Sequence, residues 1–93
     1  MSDQLQILNS SLQEVGNGNY SYDQLLEKLT PIINNLLDRD MNSLMSILYR
    51  IDVSESKFRE VLATSEPHLV GENVARLILD RQIQKIETRK KYR

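Results

Sequence analysis

Residues 40–62 read DMNSLMSILYRIDVSESKFREVL, and the spacing of apolar residues in this stretch decides the fold class. Met41, Leu44, Met45, Leu48 and Ile51 recur at steps of three and four, which sets them along one face of a helix. Asp40 stands where a carboxylate caps a first turn by accepting from its unpaired amides. A second start signal follows at once. Ser54 suits an N-cap, and Val53 before it and Phe58 beyond it are spaced as a hydrophobic staple. Phe58, Val61 and Leu62 then share a face, so the stretch is two helices joined by a tight turn at Ile51-Asp52-Val53.

Upstream, Leu5, Leu8, Leu12 and Val15 are spaced by three and four among polar residues, which predicts an amphipathic helix over about 3–15. Gly16-Asn17-Gly18-Asn19 ends it, with Gly16 at the position where a helix C-cap favours glycine. A phosphate loop is the functional alternative for these four residues, but no Lys-Ser/Thr pair follows and no strand precedes. Ser21 with Gln24 forms a capping-box pattern ahead of Leu25, Leu26, Leu29, Ile32, Ile33, Leu36 and Leu37, the widest apolar face in the chain. Pro31 falls inside this run. The apolar phase is kept across it, so the expectation is one continuous helix kinked at Pro31 rather than two. Asp38-Arg39-Asp40 is a polar break that lacks the glycine and distal glutamate of a calcium loop, and it reads as capping and solvation.

Downstream, Thr64-Ser65-Glu66-Pro67 ends one helix and starts another that runs from about residue 67 to 90. This last helix carries two stripes. Val70, Val74, Leu77 and Ile78 make one; Ala75, Leu79, Ile83 and Ile86 make the other, displaced by nearly half a turn. One faces the chain's own core. The second needs a partner, either the N-terminal helix or another copy of the protein.

The expected architecture is all-α, a compact bundle of four or five helices with a long C-terminal helix. Leu25, Leu29, Ile33, Leu36, Leu44, Leu48, Phe58, Leu62, Leu77 and Ile78 are its expected core. Residues 1–88 read as a single helical domain and 89–93 as a basic tail. At 93 residues such a domain buries roughly 60 to 65% of the surface of its unfolded chain. The chain contains no cysteine, which excludes disulfides and thiolate chemistry. No apolar run reaches the roughly 18 residues of a membrane span, and the N-terminus lacks a signal-peptide plan, so the expected location is cytoplasmic.

The formal charge of −1 conceals an uneven distribution. Residues 80–93 hold Arg81, Lys85, Arg89, Lys90, Lys91 and Arg93 against Asp80 and Glu87, a net of +4, so the remaining residues hold −5. Lys85, Arg89, Lys90, Lys91 and Arg93 are candidates for neutralising nucleic-acid phosphates, with Tyr92 as a stacking residue. Cations near a helix C-terminus also answer the macrodipole without any ligand.

Catalytic chemistry is hard to assemble from these residues. The one histidine, His68, has no partner of metal-binding type at a suitable spacing, and no Glu-x-x-His pattern occurs. No cofactor is expected, and the chain reads as non-enzymatic. Tyr49, Arg50 and Asp52, with Arg81 or Lys85, form a candidate polar cluster that is read as a structural network docking the long helix. The leading functional expectation is a helical protein-protein interaction module, which pairs with itself or with a partner helix through Leu79, Ile83 and Ile86. The alternative is nucleic-acid binding.

Two resemblances bear on these expectations. Ile51-Asp52-Val53-Ser54 with Phe58 and Val61, within a pattern covering residues 44–62, resembles the helix-turn-helix of bacterial repressors, which implies a reading helix exposing Ser54, Glu55, Ser56, Arg59 and Glu60. The pattern departs from those repressors at Asp52, where they carry glycine, and at Leu48, where they carry a small residue. An ordinary helical hairpin in the core is the plainer reading. As a whole the chain resembles small uncharacterised all-helical bacterial proteins, through LYRIDVSE (48–55) and RQIQKIETRKKY (81–92). That resemblance implies an all-helical fold in the bacterial cytoplasm and adds no site residue.

Overall fold

The structure, a computed structural model, describes the backbone of residues 2–91 and the side chains of residues 4–89. Five α-helices follow one another: α1 Ser2–Asn17, α2 Tyr22–Arg39, α3 Met41–Arg50, α4 Glu55–Thr64 and α5 Val70–Lys91, with a 3₁₀ turn at Pro67–Leu69 leading into the last. Among the described residues there is no strand.

The helix starts follow their capping residues. The Ser21 hydroxyl accepts from the Gln24 amide at 3.4 Å, and the Ser54 hydroxyl from the Lys57 amide at 3.4 Å. Asp40 does more, since Oδ1 accepts from the Ser43 amide at 3.2 Å while Oδ2 accepts from the Ser43 hydroxyl at 2.7 Å. The same residue closes α2, because its own amide donates to the Leu36 carbonyl at 2.9 Å. One polar residue thus ends one helix and begins the next.

α2 runs unbroken through Pro31. Pro31 lies on the exposed side of the helix, so the carbonyl it leaves without an amide partner faces water, and the buried ladder is untouched. The end of α1 differs from expectation. Gly16 is still helical, and the left-handed residue is Gly18 at φ 77°, whose amide donates to the Val15 carbonyl at 3.1 Å. Gly16 is instead a contact residue: a Cβ there would lie 3.7 Å from Ile86 Cδ1 of α5.

α5 is the centre of the packing. α2 makes the most extensive contact with it, and α1 and α4 also rest on it. At about 1.5 Å per residue its 22 residues span roughly 33 Å, nearly the 38 Å long dimension of the molecule. The radius of gyration, 12.8 Å, is close to the roughly 12 Å of a compact chain of this length. So α5 lies along the body and does not project from it. It also continues without a break past residue 88 to Lys91.

The core takes Leu8, Leu12 and Val15 from α1, six residues of α2, Leu44, Ile47 and Leu48 from α3, Phe58 from α4, and Val74, Ala75, Ile78 and Leu79 from α5. Eight of the ten expected core residues are buried, whereas Leu62 and Leu77 are half-buried at its margin. In α3 the buried face is Leu44, Ile47, Leu48 and Ile51, rotated from the expected one; Met41, in the first turn and at the edge of that face, is 39% exposed. Ser11 is the one buried polar side chain among the described residues, and it satisfies itself by donating to the Ile7 carbonyl at 2.9 Å.

Candidate functional site

The turn between α3 and α4 fixes the geometry of the polar surface. Asp52 adopts φ 60°, the left-handed region. The Val53 amide donates to the Leu48 carbonyl at 2.9 Å and the Asp52 amide to the Tyr49 carbonyl at 3.2 Å, which is the paired arrangement of a Schellman cap. Val53 and Leu48 are both buried, supplying the apolar contact that accompanies this cap. Aspartate is among the few non-glycine residues that enter this region readily, and at this position its polar atoms are directed to α5.

Arg81 and Lys85 of α5 receive them. Arg81 Nε donates to the Asp52 carbonyl at 3.1 Å, and Lys85 Nζ lies 3.5 Å from Asp52 Oδ2. The turn is thereby clamped onto the long helix. Of the expected polar cluster, Asp52 and Arg81 meet, but Tyr49 and Arg50 do not join them. Tyr49 donates to Glu55 Oε1 at 3.1 Å, and Arg50 NH1 donates to Asn9 Oδ1 of α1 at 3.0 Å. The reason is angular: adjacent residues at the end of α3 point about 100° apart, so Tyr49 turns to α4 and Arg50 to α1 while Asp52 meets Arg81 and Lys85.

Two phenols, those of Tyr22 and Tyr49, are held protonated. Tyr22 is pushed up to about 12, first by burial and then by its 2.8 Å hydrogen bond to Asp80 Oδ1 and that carboxylate's charge. Tyr49 is raised as well, chiefly by its hydrogen bond to Glu55. Neither is a nucleophile near neutral pH. His68 pairs at 3.5 Å with Glu66 on the exposed 3₁₀ turn. Among the described residues no three His, Asp or Glu side chains converge as metal ligands would.

The second apolar stripe of α5 finds its partner within the chain, the first of the two possibilities that its spacing allowed. Leu79 is fully buried, and Ile83 and Ile86 are half-buried against the core, Ile86 beside Gly16 of α1. Gln82 secures this docking by donating Nε2 to the Leu12 carbonyl at 3.3 Å. The helix-turn-helix pattern falls on the turn after α3 and on α4. α4 rests on α5 with Phe58 buried, and its exposed face mixes Lys57 and Arg59 with Glu55 and Glu60, Arg59 lying 3.6 Å from Glu55.

Along the seam of α1, the end of α3 and α5 runs a groove of about 670 Å³. Its charged lining residues are Arg50, Lys85 and Arg89, and none of its lining residues is acidic. Asn9, Gln13, Asn17 and Gln82 supply its amides. Lys85 and Arg89 are among the candidates named from the sequence. Arg50 was assigned elsewhere, and the amides were missed. The available signal was the four-residue recurrence of Arg81, Lys85 and Arg89, which aligns them along one edge of α5. The side chains of Lys90, Lys91, Tyr92 and Arg93 lie outside the described residues. A second groove, of about 520 Å³ between the start of α4 and α5, mixes Lys57 and Arg81 with Asp52 and Asp80.

No family model, curated protein or solved structure matches the chain significantly.

Proposed function

We propose that the chain is a non-enzymatic helical binding module whose partner is nucleic acid, engaged through the basic end of α5. The observation that carries this reading is the segregation of charge. A chain of net charge −1 gathers Arg50, Lys85 and Arg89 around one groove with no carboxylate on its walls, and the sequence continues from there into Lys90, Lys91 and Arg93. Clustered cations on an otherwise acidic body attract a polyanion and orient it. The competing reading, a protein partner docked on Leu79, Ile83 and Ile86, has less surface to use because Leu79 is fully buried and Ile83 and Ile86 are half-buried.

Fluorescence anisotropy with labelled oligonucleotides, across a salt series, tests the proposal. Binding should weaken linearly in log-log form, because each phosphate contact releases counterions. Binding that is absent at low salt, or present but insensitive to salt, refutes it.

A further inference from the structure

Resting on the nucleic-acid reading, we infer that the groove between α1 and α5 is a binding channel for single-stranded nucleic acid, with Arg50, Lys85 and Arg89 as its phosphate contacts. Shape decides between strand and duplex. A duplex is read by a convex element that enters its groove, such as a helix in the major groove. The helix available for that task, α4, exposes Glu55 and Glu60 beside Lys57 and Arg59, with Arg59 tied to Glu55 at 3.6 Å, so its face carries no net positive charge. The cationic feature is concave, and a concave cationic groove accepts a strand that is free to bend into it.

The donors are arranged for such a strand. Arg50 reaches the groove from the end of α3 and is held in place by a single bond, NH1 to Asn9 Oδ1 at 3.0 Å, which leaves its other guanidinium hydrogens for a ligand. Lys85 and Arg89 stand one helical turn apart on α5; Arg89 is exposed, whereas Lys85 is shared with Asp52 at 3.5 Å and reaches phosphate only in competition with that carboxylate. Gln13 and Asn17 on α1 line the opposite wall with neutral amides, which bond to phosphate, sugar or base edge without preferring one sequence. No aromatic side chain is among the lining residues. Affinity therefore comes from phosphate, and binding is weak, sequence-tolerant and strongly dependent on salt.

The test uses the full chain and a fluorescein-labelled oligothymidylate of about 12 nucleotides, within the span such grooves occupy. Three phosphate contacts on a single strand give a slope of log K against log salt of about −2, a loss of roughly 20-fold between 50 and 200 mM. Arg50→Gln and Arg89→Gln should each lower that slope by about 0.7, with melting by circular dichroism confirming that each variant is folded. If the unaltered chain binds but both variants keep its slope, while replacing Lys90, Lys91 and Arg93 together with glutamine abolishes it, the channel is refuted and the broader nucleic-acid reading stands. If a duplex of equal length binds as tightly and responds to the same variants, the single-strand assignment is overturned. If the unaltered chain binds neither, both readings fall.

Discussion

Gly71 offers the most demanding check on how α5 is seated. It is buried at the start of α5, and a Cβ built there would overlap Asn34 of α2, colliding with Oδ1 and Cγ and standing 2.9 Å from Nδ2. Replacing Gly71 with alanine has two opposed effects. Alanine is favoured over glycine inside a helix by about 1 kcal/mol, and by less in a first turn. Against this stands the collision, of a kind that costs about 1–3 kcal/mol when a packed interface must shift. Asn34 is exposed, so it can swing aside, which places the cost toward the lower end. The expected net loss is about 1 kcal/mol, or about 4–8 °C in melting temperature for a domain of this size. The decisive measurement is the double-mutant cycle with Asn34→Ala, followed by urea or thermal unfolding. Asn34→Ala deletes the three clashing atoms, so Gly71→Ala should change from destabilising to neutral or stabilising in that background, giving a coupling energy of at least about 1 kcal/mol. Additive effects of the two substitutions would show that α2 and α5 do not approach this closely, and the seating of α5 described above would be wrong.

Asp52→Asn should leave stability within about 1 kcal/mol, since an exposed ion pair contributes little and asparagine also accepts the left-handed turn. By releasing Lys85 it should tighten oligonucleotide binding by about two- to fivefold, the equivalent of that pair energy, in the anisotropy assay. Leu79→Ala should cost about 3 kcal/mol in urea unfolding, because it opens a cavity in a fully buried site, while the mass from light scattering stays unchanged. Tyr22 binds its proton more tightly in the folded chain than in the unfolded one. Its contribution is therefore present in full below pH 10 and is lost as pH rises toward 12. For a partly exposed phenol that contribution is discounted to about 1 kcal/mol, and Tyr22→Phe should remove both the alkaline loss of stability and the late-titrating tyrosinate absorbance.

Local signals in the sequence translated directly into structure wherever a single residue suffices to impose them. Asp40, Ser21 and Ser54 cap the helices they precede because a side-chain oxygen one turn from an unpaired amide needs no help from distant residues. Asp52 is left-handed for a similar reason, since the Schellman cap is closed within the hairpin itself. The misplacements arise where two signals compete over a few residues. Gly16 and Gly18 both suit the end of α1, and it is Gly18 that takes the left-handed conformation, with its amide on the Val15 carbonyl. Ile47 displaces Met41 from the buried face of α3 because the core sets the rotation of a short helix, and ten residues contain too few turns for spacing alone to set it.

The two stripes of α5 show what periodicity is unable to convey. Apolar spacing states that a face is covered, and it is silent on whether the cover belongs to the same chain. Here α1 supplies it, and this has a consequence for the site. Where α1 packs on α5 at Ile86 and Gln82, its polar edge, with Gln13 and Asn17, is brought alongside Lys85 and Arg89, while Asn9 catches Arg50 from α3. The groove is thus built on the α1–α5 contact at Leu12, Gly16 and Ile86. An interface between copies through that stripe would require α1 to leave, and the groove would be dismantled with it. Self-association that displaced α1 from α5 is therefore expected to weaken oligonucleotide binding in the groove. A dimer formed through the stripe that retained the full salt slope would contradict the placement of Arg50, Lys85 and Arg89 around a single groove.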